Sequence, residues 1–418
     1  MNFRETKWLM VFLFVITIAK AQTTINVMSY NTLNYPNGEI ENRVDTLKVI
    51  TDYVQPDLLL LQELKTETGL NTILSECFGE DEDVFASSIW VPQQSNQNSS
   101  WPLQQALIYN TTLFGMADEG LKTSGTRDLN TFKLYFKDPA HLQGDTTFLY
   151  VFVTHLKSSQ GTENEQTRLS MMETFTTYFN TLPGDALALF GGDFNVYTST
   201  EPAYQLIIND VNNLNWEDPI DAPGNWHSSS YPFKQILTQS TREQTIFGDG
   251  AGGGMDDRFD FIMASEQLMN PASTIHYGMN SYEALGNTGD CYNQTILDCN
   301  ENNPIPYSVL SALYYMSDHL PVILELETSL TVNIQEQNSL CDIYLTSISS
   351  DQLNFFISGQ DRVEMNLSLL NSTGQRILEK NQKNISGKFE LEVKLQSGWY
   401  IAQILLNGVP HQVKFIVE

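Results

Sequence analysis

Apolar residues follow two rhythms along this chain. Up to about residue 327, short apolar runs alternate with stretches of helical period. Strand-length runs fall at Ile25–Tyr30, in PDLLLLQEL with its end at Glu63, and at Ala106–Tyr109, Phe132–Phe136, Phe148–His155, Ala186–Phe190, Arg258–Met263 and Leu320–Leu326. Helical spacing appears from Asn42 to Val54, where Val44, Leu47, Val49, Ile50 and Tyr53 share a face and Pro56 stops the run. It recurs from Leu70 to Phe78 and from Glu165 to Leu182. Buried strands alternating with helices predict α/β layers. From residue 341 to 418 the period changes to two, with frequent turn residues, as in LNFFIS, FELEVKL and VKFIVE. That pattern predicts a small β-sandwich. Residues 328–340 form the linker between a domain at 22–327 and the sandwich at 341–418.

The N-terminal residues 1–21 read as a signal peptide. Arg4 and Lys7 precede a short apolar run from Trp8 to Ala19, and Ala19-Lys20-Ala21 offers a small-x-small cleavage site. The run is shorter than the roughly 20 apolar residues a membrane span needs. No other segment is long and apolar enough, so no stable membrane span is expected.

With 41% hydrophobic residues the chain can bury a sizeable core. Its formal net charge is −28. Residues 1–21 contribute Arg4, Lys7, Lys20 and Glu5, a net +2, which leaves −30 beyond them. Such a balance excludes broad, nonspecific electrostatic binding to nucleic acid. It does not exclude a nucleic-acid enzyme whose local field differs from the global charge. Export permits disulfides, and of Cys77, Cys291, Cys299 and Cys341 the pair Cys291/Cys299 flanks a short polar segment.

Polar residues stand where several apolar strands end: Asn31, Glu63, His155, Asp193 and Asp260. In layered folds such ends present chemistry on a rigid scaffold. Each has a plainer alternative. Glu63 reads equally as a solvent-facing strand end, and His155 in VFVTHLKS as a structural histidine. In GGDFN, Gly191 and Gly192 permit a tight turn; Asp193 and Asn195 then face one side or close an Asx turn. Asp260 in DDRFDFI pairs with Arg258 in the plain reading. Asp318-His319 in SDHLPV makes a capped turn closed by Pro321. Gly248–Gly254 lacks the Lys-Ser/Thr of a phosphate loop and reads as a flexible loop.

Taken in order, NTL, LLLQE, THLKS, GGDFN, RFDFI and SDHLPV resemble the successive motifs of the endonuclease/exonuclease/phosphatase superfamily, over residues 25 to about 326. Deoxyribonucleases, abasic-site endonucleases, sphingomyelinases and inositol phosphatases belong to it. The resemblance implies a four-layer α/β sandwich of the DNase I-like type with the site at one edge. It implies Mg²⁺, with Mn²⁺ or Ca²⁺ as substitutes, held by Glu63 with Asn31 nearby and Asp318 as a further ligand. His319 is then the general base or a phosphate contact oriented by Asp260. Asp193 positions or activates water, and Asn195 and His155 donate to phosphate oxygens. Arg127 in TSGTRD is the substrate-binding candidate, its planar fork suiting phosphate, against a surface pair with Asp128.

THLKS and RFDFI look closer to secreted nucleases than to inositol phosphatases. Phe190 stands where the latter carry Trp, and Asp256-Asp257-Arg258 where they carry Cys-Asp-Arg. The expected function is therefore a secreted, monomeric, metal-dependent phosphodiesterase acting on DNA, with RNA as the other nucleic-acid substrate. A lipid or small-molecule phosphoester, hinted at by Trp101, and a non-catalytic surface binder are the alternatives. LLNSTGQRI, GWYIAQILLNG and VKFIVE resemble the C-terminal sorting domain of the type IX secretion system, although Glu418 stands where a basic residue is common. That resemblance implies the secretion machinery as a partner and a secreted or cell-surface location.

Overall fold

A computed structural model describes residues 23–37, 42–79, 84–99, 102–138, 146–209, 212–227, 232–245, 249–298, 303–328, 330, 343–349, 351–357, 363–371, 375–406 and 409–417. The signal-peptide reading, Trp101, Cys299, Cys341 and nearly all of the linker fall outside them. The chain divides into two compact units, Met1–Val332 and Asn333–Glu418.

The first unit runs β1 (Thr23–Tyr35), α1 (Arg43–Val54), β2 (Leu58–Leu64), α2 (Glu67–Phe78), β3 (Phe85–Ser87), β4 (Gln104–Asn110), β5 (Phe114–Thr123), β6 (Asp128–Phe136), β7 (Phe148–His155), α3 (Thr162–Phe179), β8 (Leu187–Asp193), α4 (Pro202–Ile207), β9 (Trp216–Glu217), β10 (Asp260–Ser265), α5 (Glu266–Met269), β11 (Ile275–Tyr277), β12 (Glu283–Ala284), α6 (Tyr307–Met316) and β13 (Val322–Thr328). One sheet has the order β11-β13-β1-β2-β4-β3, with β12 beside β13; the other has β5-β6-β7-β8-β10-β9.

Their facing sides share one core, in which Val27, Leu58 and Leu60 meet Val151, Val153, Leu189 and Ile262. On the outer side of the first sheet Leu59 and Leu61 pack with Leu47, Ile73 and Leu313 from α1, α2 and α6. On the outer side of the second, Phe152 and Phe190 pack with Phe175, Phe179 and Ala203 from α3 and α4. The result is a four-layer α/β sandwich. Central strands buried on both faces need apolar residues at every position, which is why β2 opens with four consecutive leucines. Each such fully buried side chain contributes about 1.5–3 kcal/mol.

Local signals set most boundaries. Thr66 caps α2, its side chain accepting from Gly69 N at 3.0 Å. Gln55, in the left-handed region, ends α1 ahead of Pro56. Three of the boundary shifts have a local cause. α3 starts at Thr162 and stops at Phe179, not Leu182, because the chain beyond it tightens into i→i−3 bonds, Thr181 N–H to Tyr178 O and Leu182 N–H to Phe179 O. β10 starts at Asp260, after Arg258, and β13 at Val322, beyond Pro321, which has no N–H to give a ladder.

Gly191 and Gly192 do not turn the chain. They are the last positions of β8 before Asp193, paired with β7 and β10. A Cβ on Gly191 would lie 2.7 Å from Leu60 Cδ2 in the facing sheet. Gly192 has φ 144°, and its Cβ would meet Thr154 O at 1.9 Å. The pair is dictated by close approach of sheet to sheet and strand to strand.

The second unit contains β14 (Ile343–Ile348), β15 (Gln352–Ile357), β16 (Val363–Asn371), β17 (Arg376–Ile385), β18 (Gly387–Glu392), β19 (Gly398–Leu406) and β20 (Val409–Val417). They form a three-stranded sheet, β14-β15-β18, and a four-stranded sheet, β17-β16-β19-β20. Leu353, Phe355 and Ile357 of one meet Met365, Leu367 and Ile404 of the other in a common core, so this unit is a small β-sandwich.

Candidate active site

Strand register gathers the polar residues. In the second sheet His155 pairs with Asp193, and Asp193 with Asp260, so three strands present one row at one end. In the first sheet the β1–β2 pairing is irregular between Asn31 and Tyr35. Leu33, Asn34, Glu63 and, across the cleft, Asn195 have φ between 43° and 60°. For residues other than glycine each such conformation costs about 1–3 kcal/mol and marks a place where packing dictates the backbone.

Asn31 is the hub. Its Nδ2 donates to Glu63 Oε1 and to Asp193 Oδ2, both at 3.1 Å, and lies 3.4 Å from His319 Nε2. Glu63 Oε2 accepts from Asn34 N at 3.0 Å. His155 bridges the two carboxylates, with Nδ1 3.8 Å from Glu63 Oε1 and Nε2 3.5 Å from Asp193 Oδ2. His319 Nδ1 lies 2.7 Å from Asp260 Oδ2, so Nε2 faces the cluster, 3.7 Å from Asp193 Oδ2. Ser317 Oγ ties the segment down by donating to Asn31 O and accepting from His319 N. Asp193 Oδ1 accepts from Asn195 N at 3.0 Å, an Asx turn coexisting with the functional placement.

Asp318 stands slightly apart. Its Oδ2 accepts from Ala251 N at 2.6 Å and Gln239 Nε2 at 3.0 Å. The Gln239 amide nitrogen also lies 2.7 Å from His319 Nε2. Arg127 lies within electrostatic reach of Glu63 and Asp193, with Nη1 3.3 Å from Gln93 Oε1. The Asp128 carboxylate is buried and accepts from Gln94 N and Ser95 N, and among the described residues no ion pair joins it to Arg127. Arg258 is likewise taken, by two hydrogen bonds to Asp218 at 2.8 and 2.9 Å, which leaves Asp260 to His319.

Burial and charge set the protonation states. Burial, reinforced by Asp318, raises the Glu63 carboxyl. Burial likewise raises Asp193, against the pull of His319. Burial opposes charge on His319, but Asp260, Asp318 and Asp193 outweigh it and hold its pKa well above that of free imidazole. Burial, together with Arg127, pushes His155 well below it. One imidazole is thus held charged and the other neutral within a single cluster.

The donor set suits a divalent cation. Ligand atoms of Glu63, His155 and Asp193 all lie within 4.8 Å of one another. His155 Nδ1 and Asp318 Oδ1 are buried without a hydrogen-bond partner, and unpaired buried polar atoms are costly. Of the expected ligands, Glu63 and its neighbour Asn31 belong to this cluster. Asp318 is joined to it through Gln239 and His319. Gln239, Asn34 and Asp249, which accepts from Asn34 Nδ2 at 2.9 Å, carry no signal in the sequence. Ser317 does, since a serine two residues before a buried histidine is placed to bond its N–H.

Cys291 is disulfide-bonded, and Cys77 is a buried free thiol. No helix among the described residues is long and apolar enough to cross a membrane.

Solved structures of similar fold include D. rerio TDP2 complexed with a single-strand DNA product, at 15% identity and a TM-score of 0.47, covering 73% of this chain and 100% of that one. The human Nocturnin catalytic domain with bound sulfate has 16% identity and a TM-score of 0.46, over 72% of this chain and 94% of that one. An endonuclease/exonuclease/phosphatase family protein from Bacteroides thetaiotaomicron has 16% identity and a TM-score of 0.45, over 74% and 99%. No family model and no curated protein matches the chain.

Proposed function

We propose that the first unit is a divalent-metal-dependent phosphodiesterase and that its substrate is DNA. The observation that carries this reading is the convergence of Asn31, Glu63, His155, Asp193 and the Asp260–His319 pair at one end of two packed sheets. Glu63, with His155 and Asp193 in reach, would hold the cation. A bound Mg²⁺ or Mn²⁺ would neutralise phosphate oxygens and polarise the phosphorus. His319, kept charged by Asp260, offers an Nε2 proton to a phosphate or leaving oxygen. Asp193, whose carboxyl burial has raised, accepts the proton of the attacking water. Asn195 and Arg127 supply donors to the remaining oxygens.

Incubation of plasmid DNA with the full chain and Mg²⁺, with and without EDTA and beside His319→Ala, tests the reading. Chelator-sensitive cleavage lost in the variant supports it. Intact plasmid with Mg²⁺, Mn²⁺ and Ca²⁺ alike removes DNA and moves the search to lipid and sugar-phosphate esters.

The proposal extends to export, with residues 1–21 as the signal peptide and the β-sandwich as a sorting domain for type IX secretion. Appending residues 333–418 to a periplasmic reporter in a host with that system would carry it to the medium or cell surface; a reporter left in the periplasm contradicts the assignment.

A further inference from the structure

The glycine-rich loop ahead of Asp260 is built into the site from residue 249 onward. Its composition reads as flexible, but residues 249–254 fold back on 240–243. Ser240 Oγ donates to Ala251 O at 2.9 Å, Gly253 N to Glu243 O and Gly254 N to Arg242 O, both at 2.9 Å. Residues 240–243 are in turn tied to the segment that carries His319. Thr241 N donates to Asp318 O at 3.1 Å and Thr241 Oγ1 to Ser317 O at 2.7 Å. The loop is a strap laid over the first-sheet side of the site.

Three successive residues of the strap meet that side. Asp249 Oδ2 accepts from Asn34 Nδ2 at 2.9 Å, while its Oδ1 accepts from Gly250 N. Gly250 has φ 84°, and a Cβ there would lie 3.0 Å from both Asp318 Cγ and Leu33 Cδ2. Only glycine lets the strap pass so close. Ala251 N then donates to Asp318 Oδ2 at 2.6 Å.

The Asp249 contact reaches a metal-ligand candidate in one further step. Asn34 N donates to Glu63 Oε2 at 3.0 Å, and Asn31 Nδ2 donates to Glu63 Oε1 at 3.1 Å. Each Glu63 oxygen is therefore met by one asparagine. Asn34 sits at φ 55°, a conformation that persists only where its surroundings dictate it, and Asp249 supplies part of that hold. A ligating carboxylate whose partners are themselves held is set for the ion before it arrives.

We infer that Asp249 is a positioning residue for the cation: through Asn34 it sets the Glu63 carboxylate, and the strap that carries it holds Asp318 alongside. The inference rests on the phosphodiesterase reading for the place of the cation, but binding tests it without turnover. Mn²⁺ is titrated into the chelator-stripped full chain and the free ion is followed by electron paramagnetic resonance; the binding lost in Glu63→Gln marks the site. Asp249→Ala and Gly250→Ala are each expected to weaken that binding about 10–100-fold, the usual cost of removing a group that orients a ligand. Both break one device, so the double variant is expected to bind no worse than the weaker single. Asp249→Asn, which keeps an oxygen for Asn34 Nδ2, is expected to retain most of the affinity. Variants with lowered unfolding midpoints in EDTA but full Mn²⁺ affinity when folded would mean that the strap only props the fold, which overturns the inference. So would Asp249→Asn as weak as Asp249→Ala, since charge and not the hydrogen bond would then be at work. Strap-dependent Mn²⁺ binding without hydrolysis of any phosphodiester overturns the phosphodiesterase reading alone, and Mn²⁺ binding indifferent to Glu63→Gln overturns both.

Discussion

The two units of this chain handle polar residues in opposite ways. In the second, strands alternate strictly: Val363, Met365, Leu367 and Leu369 face the core while Glu364 and Asn366 face water. Among the described residues, every buried polar or charged side chain belongs to the first unit, Arg168, Arg242 and Arg258 included. Burying a charge is expensive unless it is paired. Part of that cost is met by structural pairs such as Arg258–Asp218. The rest collects at one strand end, where carboxylates crowd two imidazoles and unpaired atoms remain. A sandwich that only has to fold avoids such groups; a fold that has to do chemistry retains them.

The largest test of this contrast is catalytic. His319→Ala should lower kcat on an oligonucleotide by about 10²–10⁴-fold, the usual contribution of a positioned proton donor or acceptor. Trp399→Ala, at the exposed surface of the second unit, should leave it unchanged. Steady-state kinetics on the two variants decides; equal losses would mean the contrast has no catalytic meaning.

Stability comes next. Asp218→Ala strands Arg258 in the core and should cost about 3–5 kcal/mol, whereas the double substitution Asp218→Leu/Arg258→Met should recover most of it. In the second unit Leu367→Ala should cost about 2–5 kcal/mol with no charge to rescue. Denaturant melts read by hydrogen exchange in β8 and β16 separate the units, and a double variant no better than the single would refute the pairing argument.

A smaller effect is acid sensitivity. His155 has a folded pKa far below its unfolded value of 6.5, because burial disfavours its charged form. Below that unfolded value the unfolded chain takes up a proton that the folded chain refuses, so stability falls as pH drops. His155→Gln should flatten this slope by about 1.4 kcal/mol per pH unit in chelator-treated protein. An unchanged slope would show that His155 is charged in the fold. Smallest of all, Glu379→Ala, which breaks the exposed Arg376–Glu379 contact, should cost at most about 0.5 kcal/mol by thermal melt. A loss of several kcal/mol there would contradict the view that the second unit's charges are only solvated.

Much of the first unit was legible because strands buried on both faces write themselves as apolar runs. The apolar run from Phe148 to His155 has the same limits as β7. β5 leaves no such run, for eight of its ten residues are partly or fully exposed and it pairs at a sheet edge. α6 escaped because YSVLSALYYM is apolar nearly all round and shows no clear stripe. In the site, Asp193, Asp260 and His319 were legible as polar residues against apolar strands. Gln239 was not, because it lies in an irregular segment whose path depends on Asp257 and on the backbone of His319. The glycines of GGDFN stand out in the sequence without their physical reason, since sequence shows that a Cβ is missing but not what it would strike.

The most direct test of the central claim is the rate of oligonucleotide hydrolysis against free Mn²⁺ or Mg²⁺ for the full chain and for Glu63→Gln, which keeps the shape but loses the charge. Saturable dependence on the cation, with the variant's curve displaced at least tenfold to higher concentration, is the predicted result. Hydrolysis that ignores the cation, or curves that coincide, would contradict the assignment of the strand-end cluster as a metal-dependent phosphodiesterase site.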